Sequence, residues 1–315
     1  MGGDVDAAVR RVAAALGLGA DDANDAVDVL ATTVSGADLT SFLLEVTRRR
    51  ADLISPADVM RRARTDPLVE PGLVDARALH RVIAAVIDAM PDRFEFVELS
   101  PVVPLGTHST VATVHQHKVV STIRNAEVAA DPTNALALLA ALRGSGSTTT
   151  RLAAVQRILR AQPFGEQGQQ HFSVLGLVTA GRDRGHLAFE TDALVEHLHA
   201  LRSAIGTVTD AAVEIRLTDL ADGHADGVIQ AVTESFAADS ETLVTSDPDR
   251  PTGRGYYCDL CFKIFATTTD REVEIGDGGF TDWTAQLRND RKARLLTSGL
   301  GLDRLVAVAA DYPAS

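Results

Sequence analysis

Apolar residues recur every three or four positions through the first 66 residues, which is the spacing of amphipathic helices. Three such stretches span residues 5–16, 22–32 and 39–49. The tetrapeptide Ser55-Pro56-Ala57-Asp58 has the composition of a capped helix start, with proline at the first helical position. Proline, glycine and acidic residues cluster between positions 65 and 72. We therefore expect an all-helical N-terminal region over residues 1–66, followed by a boundary.

After this boundary the pattern mixes helical and strand periods. Helices are predicted over residues 74–90, 132–142 and 192–204. Strands are predicted over residues 94–99 and 119–123, around Ile158, and over residues 172–178 and 213–217. A long loop is expected over residues 237–253, and three strands and a helix close the chain. Because the order has no strand–helix–strand rhythm, we predict an α+β domain over residues 67–315, with a largely antiparallel sheet flanked by helices.

Composition narrows the class of protein without identifying a function. The 315 residues are 45% hydrophobic and 23% charged, as in ordinary globular proteins. The formal net charge of −13 argues against a broad basic surface for nucleic acid. The most apolar helical stretch, residues 82–90, is too short to span a bilayer. We expect a cytoplasmic protein with no membrane contact.

Candidate chemistry is concentrated near the C-terminal end. The glycine-rich segment Gly276-Asp277-Gly278-Gly279-Phe280 is followed by Ser298-Gly299-Leu300-Gly301, and Arg304 lies in the first turn of the final helix. Glycine lets the backbone approach a flat ligand closely, and a guanidinium binds phosphate oxygens in a planar fork. The pattern therefore indicates a nucleotide or phosphate site, although by itself it is not specific.

Upstream segments give this pattern a context. Three segments follow one another along the chain. They are the helix, strand and prolines of residues 74–104, then Arg160-Ala161-Gln162 followed by Gln170-His171-Phe172, and finally Gly299 to Arg304. These segments resemble the three motifs of class II aminoacyl-tRNA synthetases, over roughly residues 74–311. Further segments are similar to the histidyl-tRNA synthetase branch: Ile123 to Glu127, Arg254-Gly255-Tyr256-Tyr257, and Gly278 to Asp282.

The resemblance implies a set of roles for an enzyme that uses ATP and Mg²⁺. Arg160 would bind the α-phosphate, Arg304 the γ-phosphate side, and Arg254 would assist at the α-phosphate. Around the adenine, Phe172 would stack on the ring, with Gln162, Gly299 and Gly301 beside it. Glu127 would pair with a substrate ammonium, and Tyr257, Gly278 and Gly279 would lie near the substrate. The first motif is an interface element in this class, so the resemblance also implies a homodimer.

Departures from the family pattern bear on the activity. Gln162 replaces a glutamate that accepts from the adenine amino group, and the neutral acceptor predicts ATP binding weaker by about 1 kcal/mol. Val174 and Phe280 stand where the histidyl branch has polar residues, which puts histidine specificity in question. The sequence has no counterpart of the family's anticodon-binding domain, so standard tRNA is not the expected partner.

Two functions from different classes remain open at this point. The first is an ATP-dependent ligase that activates an amino acid or a similar small molecule and transfers it to a carrier protein or small molecule. The second is a non-catalytic sensor, like the regulatory subunit of ATP phosphoribosyltransferase. Retained Arg160, Arg254 and Arg304 favour the enzyme. Gln162, Val174 and Phe280 favour the sensor, because they weaken the expected recognition of ATP and histidine. A tRNA-binding relative is a third reading, against which the acidic charge counts.

The cysteines and histidines do not predict a metal site. Cys258 and Cys261 lie three apart on a predicted strand and would face opposite ways, which favours packing over metal binding. His115 and His117 would share a face of a strand-like segment, but no third ligand has a suitable spacing. We therefore predict no bound structural metal.

Overall fold

The chain is described by a computed structural model over residues 5–19, 22–144, 148–162, 169–221, 223–268 and 271–311. The helices are α1 Val5–Ala15, α2 Asp22–Asp28, α3 Gly36–Asp52, α4 Pro56–Ala63, α5 Ala76–Asp88, α6 Pro132–Arg143, α7 Ala188–Gly206, α8 Asp226–Ser235, α9 Trp283–Arg288 and α10 Leu302–Asp311. The strands are β1 Glu95–Phe96, β2 Val102–Pro104, β3 Ala126–Val128, β4 Thr150–Leu159, β5 His171–Arg182, β6 Ala212–Asp219, β7 Thr242–Ser246, β8 Cys258–Thr267, β9 Glu272–Thr281 and β10 Ala293–Gly301.

The N-terminal region is helical, as its periodicity predicts. α2 runs into a short π-helical turn at Val29–Thr33, and Ser55 and Asp58 form the capping box that starts α4. No residue of α3 or α4 is buried in the part of the chain that the structure describes. Phe42, Val46 and Met60 are among the apolar side chains that these helices expose. These helices therefore contribute little to the buried core.

An eight-stranded sheet carries the rest of the fold, in the order β1-β4-β5-β10-β9-β8-β6-β7. The six central strands, β4 to β6 in this order, pair antiparallel with one another, and the short outer strands β1 and β7 pair in parallel with β4 and β6. β2 and β3 form a separate antiparallel pair. The α+β class and the largely antiparallel sheet are thus confirmed.

Helices cover the two faces of the sheet unequally. Leu175 and Leu177 of β5 point into the larger core, with α5, α7, α8 and α10. Val178 lies on the opposite face, in a smaller core with Leu136 of α6 and Trp283 of α9. The alternation along β5 is the two-residue period of a strand buried on both sides. Beside α6, this second face is left partly uncovered, and that gap becomes the candidate site.

Three predicted elements differ from the structure. Residues 119–123 do not form a strand; one isolated antiparallel bridge pairs Ser121 with Glu127. The expected loop over residues 237–253 contains β7. The strand predicted over residues 94–99 is only two residues long, and a further short strand, β2, ends at Pro104. Short strands at sheet edges pair through few residues, so their periodicity carries little signal, and proline is tolerated at such positions.

One buried histidine joins the sheet to α7. His197 is fully buried, with Nε2 2.8 Å from Thr179 Oγ1 and Nδ1 2.7 Å from Ser298 Oγ. The Phe94 ring packs edge-on against the imidazole. Burial, with a smaller contribution from the positive charge of Arg151, lowers the pKa of His197 to about 3. The folded protein therefore keeps this imidazole neutral at pH values where an unfolded chain would protonate it.

Acid should destabilise the protein through this histidine. Below pH 6.5 the unfolded state takes up a proton that the folded state excludes until about pH 3, so the free energy of unfolding falls across this window. We expect a loss of about 1.4 kcal/mol per pH unit from His197 alone. Urea denaturation of His197→Gln between pH 7 and 4.5 should show a correspondingly shallower pH dependence. The same substitution at exposed His80 should retain the wild-type slope, and equal slopes in all three proteins would contradict the assignment.

Across the described ranges, no helix combines the length and the apolar character needed to cross a bilayer.

Candidate functional site

A cavity of about 1230 Å³ lies on the less covered face of the sheet. Its floor is formed by β5, β10 and β9, and its walls by the start of α6, the start of α10 and the segment 250–257 that leads into β8. Most of the sequence-predicted site residues line it: Arg160, Gln162, Phe172, Arg254, Tyr257, Gly299, Gly301 and Arg304. Segments 140 residues apart in sequence are thus brought to one recess.

The position of α6 depends on a glycine in β5. A Cβ atom at Gly176 would lie 2.8 Å from Cγ of Pro132, the first residue of α6. Because this distance is too short for any side chain, only glycine lets the helix start against the sheet. The side chain of Asp131 caps the helix by accepting from the backbone N–H of Thr133. Asp131 and Asn134 consequently line the cavity.

Arg160 is held at the end of β4 by groups on two sides. Its Nε donates to the carbonyl oxygen of Ala130 at 3.0 Å, and its Nη2 lies 3.5 Å from Oδ2 of Asp131. The guanidinium carbon is 5.3 Å from the ring centre of Phe172, within the range of a cation–π contact. These contacts orient a cation beside an aromatic face. The arrangement suits a ligand that has both a flat ring and an anionic group.

The glycines of β10 leave the cavity floor free of side chains. A Cβ at Gly299 would come no closer than 3.6 Å to Val174, and one at Gly301 would lie 3.4 Å from the carbonyl oxygen of Ile275. Side chains at these positions would therefore occupy the cavity itself. Arg304 follows in the first turn of α10, is exposed, and donates to the carbonyl oxygen of Glu274 at 2.7 Å. The floor is thus flat, with a cation at one edge.

Gly278 and Gly279 have a packing role in the structure and do not line the cavity. A Cβ at Gly278 would lie 2.5 Å from the Phe262 ring, and one at Gly279 would lie 2.7 Å from both Cys261 and Tyr257. Their missing side chains let β8 and its aromatic rings approach β9 closely. The substrate contact implied by the family resemblance is therefore not direct in this geometry.

Glu127 is likewise outside the cavity lining, because it is fully buried. Its Oε1 accepts from the backbone N–H of His108, and its Oε2 accepts from the N–H of Gly106 and from Gln116. Burial raises the pKa of Glu127, but these hydrogen bonds outweigh it and the pKa lies below its usual value. The carboxylate holds the loop before β3, and both of its oxygens already accept hydrogen bonds from the protein. Asp131, four residues later, does line the cavity.

Sequence reasoning missed a second arginine in the segment before β8. The Arg250 side chain is 3% exposed, donates to the carbonyl oxygens of Thr252 and Phe262, and lies 3.8 Å from Asp277. The Tyr257 hydroxyl donates to the same carboxylate at 3.2 Å. Burial, followed by the negative charge of Asp131, raises the pKa of Asp277.

Arg254, unlike the buried Arg250, is exposed in the cavity. Burial was the missing signal, since both arginines look alike in sequence.

The linker after α4 is fastened next to the cavity. Gln169 accepts from the N–H of Leu73 and donates to the carbonyl of Pro71. Nε2 of His171 lies at hydrogen-bond distance from the Glu70 carbonyl and must donate, so its Nδ1 accepts from Arg157. Leu73 itself lines the cavity. The N-terminal region is thereby attached beside the second sequence motif.

Neither the two cysteines nor His115 and His117 belong to a metal centre in the described ranges. No group of three or more histidine, cysteine, aspartate or glutamate side chains there could hold a metal ion. A β-bulge separates Cys258 from Cys261, and burial raises the pKa of Cys258 to about 12 and that of Cys261 above its ordinary value. Both side chains are therefore thiols at neutral pH. The expected strand is replaced by a short 3₁₀ turn at Gln116–Lys118, which His115 precedes and which contains His117.

Comparison with known proteins extends this picture. No protein-family model and no curated protein matches the sequence. Solved structures do match. One is an ATP phosphoribosyltransferase regulatory subunit/histidyl-tRNA synthetase from Bacillus halodurans, with a TM-score of 0.57 and 12% identity, covering 76% of this chain and 82% of that one. A histidine–tRNA ligase subunit from Alicyclobacillus acidocaldarius has a TM-score of 0.57 and 14% identity, covering 78% and 96% of the two chains.

The chain has the fold of a class II synthetase core. Apo histidyl-tRNA synthetase from S. aureus is also similar, with a TM-score of 0.54 and 11% identity, and the match covers 75% of this chain but 65% of that one. At these identities the likeness concerns the fold. The resemblance predicted from the sequence motifs is confirmed at that level.

The two arginines before β8 should respond differently to the same change. Arg250→Met removes a buried cation from two carbonyls and from Asp277, and we expect a loss of about 3 kcal/mol in the free energy of unfolding. Arg254→Met, at an exposed position, should change stability by less than about 0.5 kcal/mol. Chemical denaturation of both variants checks this, and equal losses would refute the distinction between a structural and a ligand-facing arginine.

Proposed function

We propose that this protein is an ATP-dependent ligase that activates the carboxylate of an amino acid or a similar small molecule by forming an adenylate. The observation that carries the proposal is the convergence of Arg160, Phe172 and Arg304 around the glycine floor of one cavity. Such a site supplies an aromatic face for a base, an open surface for a flat ring, and guanidinium groups for phosphates.

The cavity residues fit ATP in this role. Arg160 would contact the α-phosphate and Arg304 the distal phosphates, while Phe172 and the backbone at Gly299 and Gly301 would enclose the adenine. As the substrate carboxylate oxygen bonds to the α-phosphorus, the bond to pyrophosphate breaks, and Arg160 would stabilise the charge that builds up on the phosphoryl oxygens. Mg²⁺ usually reaches such sites with the phosphates and one or two carboxylates. Glu274 and Asp277 are carboxylates in the same cavity.

The cavity also carries acidic side chains. Asp131 and Asp277 line it, and the mutual repulsion of these carboxylates contributes to the raised pKa of Asp277. A substrate ammonium would relieve that repulsion, so we assign Asp131 the role that the family resemblance gives to Glu127. The acyl acceptor in this proposal is a carrier protein or a small molecule in place of standard tRNA. We also propose a homodimer, since residues 74–104, which contain α5 and β1, resemble in sequence the first synthetase motif, an interface element in that class.

Amino-acid-dependent exchange between ATP and pyrophosphate tests the proposal directly. With pooled amino acids, histidine included, we expect exchange, and dividing the pools would identify the substrate. Arg304→Ala should raise the KM for ATP roughly tenfold to a hundredfold through loss of a charged contact. Arg291→Ala, at an exposed arginine away from the cavity, serves as the control and should match the wild type. Exchange that is indifferent to Arg304→Ala would remove this arginine from the ATP site.

A non-catalytic sensor is the second candidate, and Gln162 favours it. Gln162 lines the cavity where the family has a glutamate for the adenine amino group. A sensor would bind a small molecule with no need for magnesium-dependent ATP binding. The absence of such binding, together with no exchange, would favour this candidate.

Restoring the family residue should improve nucleotide recognition if ATP binds here. Gln162→Glu adds a charged acceptor for an amino group, and we expect the Kd for ATP to fall several-fold, equivalent to about 1 kcal/mol. GTP lacks that amino group at the same ring position, so its affinity should not improve. Calorimetric titration with both nucleotides makes the comparison. An unchanged Kd for ATP would mean that the adenine lies elsewhere.

A further inference from the structure

The four N-terminal helices bury very little of their own apolar surface. Among the described residues before position 74, only Ala13 and Ala23 are buried. Most of the large apolar side chains that the described chain exposes lie in the same region. Ordering a segment of this length costs conformational entropy, which so small a buried core does not offset. These helices therefore need a further surface against which to pack.

One contiguous apolar stripe runs along α3. Leu39, Phe42 and Val46 follow one another at intervals of three and four residues, and Leu53 at the C-cap stands one heptad further on. Leu39 is half-buried, whereas Phe42 is 58% exposed and Val46 is 38% exposed. Side chains at this spacing share one face of a helix and pack against a matching stripe of a second helix.

The helices on either side of α3 carry opposite charges next to exposed apolar side chains. Asp25 and Asp28 lie beside the exposed Val27 in α2. Arg62 and Arg64 lie beside an equally open apolar side chain, Met60, in α4 and at its C-cap. In the described chain none of these four charged side chains belongs to an ion pair. The two surfaces are therefore complementary in charge and alike in their apolar content.

These complementary helices do not meet within one chain. They lie at opposite ends of α3, whose 17 residues make a helix about 25 Å long. Over the described residues, α2 and α4 form no extended contact with each other. A second copy placed antiparallel along α3 would bring α2 of each chain to α4 of the other. Such a contact is isologous and closed, so it ends at two copies.

We propose that α2, α3 and α4 form an interface with the same helices of a second copy of this chain. The two α3 helices cross antiparallel about a two-fold axis near Val46, and the acidic α2 packs on the basic α4 at both ends. A stable interface uses about 20–30 residues on each side, and residues 22–64 provide enough of them. This contact is separate from the homodimer proposed through residues 74–104, and it requires no ligase activity.

Cross-linking at the two-fold axis tests the proposal in the full chain. Val46→Cys, treated at micromolar concentration with a short bismaleimide, should become a covalent dimer on a denaturing gel. The wild type measures the background from Cys258 and Cys261. Leu142→Cys, at a position that is 84% exposed outside these helices, is the control and should stay at that background. A wild-type yield from Val46→Cys would overturn the proposal, even if light scattering showed a dimer.

A variant with two new cysteines tests the contact between the outer helices. Val27→Cys combined with Met60→Cys should give a covalent dimer, whereas each substitution alone should not. Because α3 separates the two positions of one chain, a short reagent joins them only between different chains. No dimer from the combined variant would overturn the proposed packing of α2 on α4.

Charge reversal distinguishes this contact from chance collisions. Asp25→Arg with Asp28→Arg should raise the concentration for half-maximal cross-linking in the first variant about tenfold, because like charges would then face each other. Adding Arg62→Glu and Arg64→Glu reverses both sides and should restore that concentration to within about twofold. Asp226→Arg, at an exposed acid of α8, should have no effect. Reversal without effect, or without recovery, would overturn the proposal.

A different occupant of the apolar stripe would give a different result. Sedimentation of the full chain with phosphatidylglycerol vesicles, without cross-linking in α3, would assign the stripe to a lipid surface and overturn the proposal. Retention on immobilised RNA without cross-linking would overturn it in favour of a nucleic-acid contact.

Discussion

The contact between Gly176 and Pro132 is the constraint on which the site depends. With no side chain at Gly176, α6 starts directly against β5, and its first turn brings Asp131 and Asn134 to the cavity. Asp131 in turn lies beside Arg160 at the end of β4, so the same close approach sets a cation and a carboxylate next to each other in the cavity wall. A methyl group at Gly176 would displace the helix and with it Asp131 and Asn134.

The charge distribution in the cavity follows from this arrangement. Arg160 and Arg304 line the cavity with the glycine floor of β10, and Asp131 and Asp277 line it from the start of α6 and from β9. In the proposed reaction the arginines would contact the phosphates, and a neighbouring carboxylate would contact a substrate ammonium. The protein is acidic as a whole, so the local concentration of cations is a property of the fold and not of composition.

Polar groups that serve the structure and polar groups that face the cavity lie close together here. Glu127 and Arg250 are buried and satisfied by protein partners, although Arg250 also borders the cavity. Asp131 and Arg254 line the same cavity and are more exposed. His108 belongs to both sets, because it is held by a backbone N–H and itself orients Asn134. Its tautomer is therefore part of the geometry of the site.

Local pattern was sufficient for the N-terminal helices, for α5, α6, α7 and α10, for the central strands and for the order of the three motifs, since periodicity, caps and glycine spacing are properties of short segments. It also identified Arg160, Phe172, Gly299 and Arg304, which the fold gathers in one cavity. It did not predict α8 or α9. The choice between Glu127 and Asp131, the separate roles of Arg250 and Arg254, and the packing role of Gly278 could not be read from the sequence. Burial and the hydrogen-bond partners of each group decide them, and both depend on contacts between segments far apart in the chain.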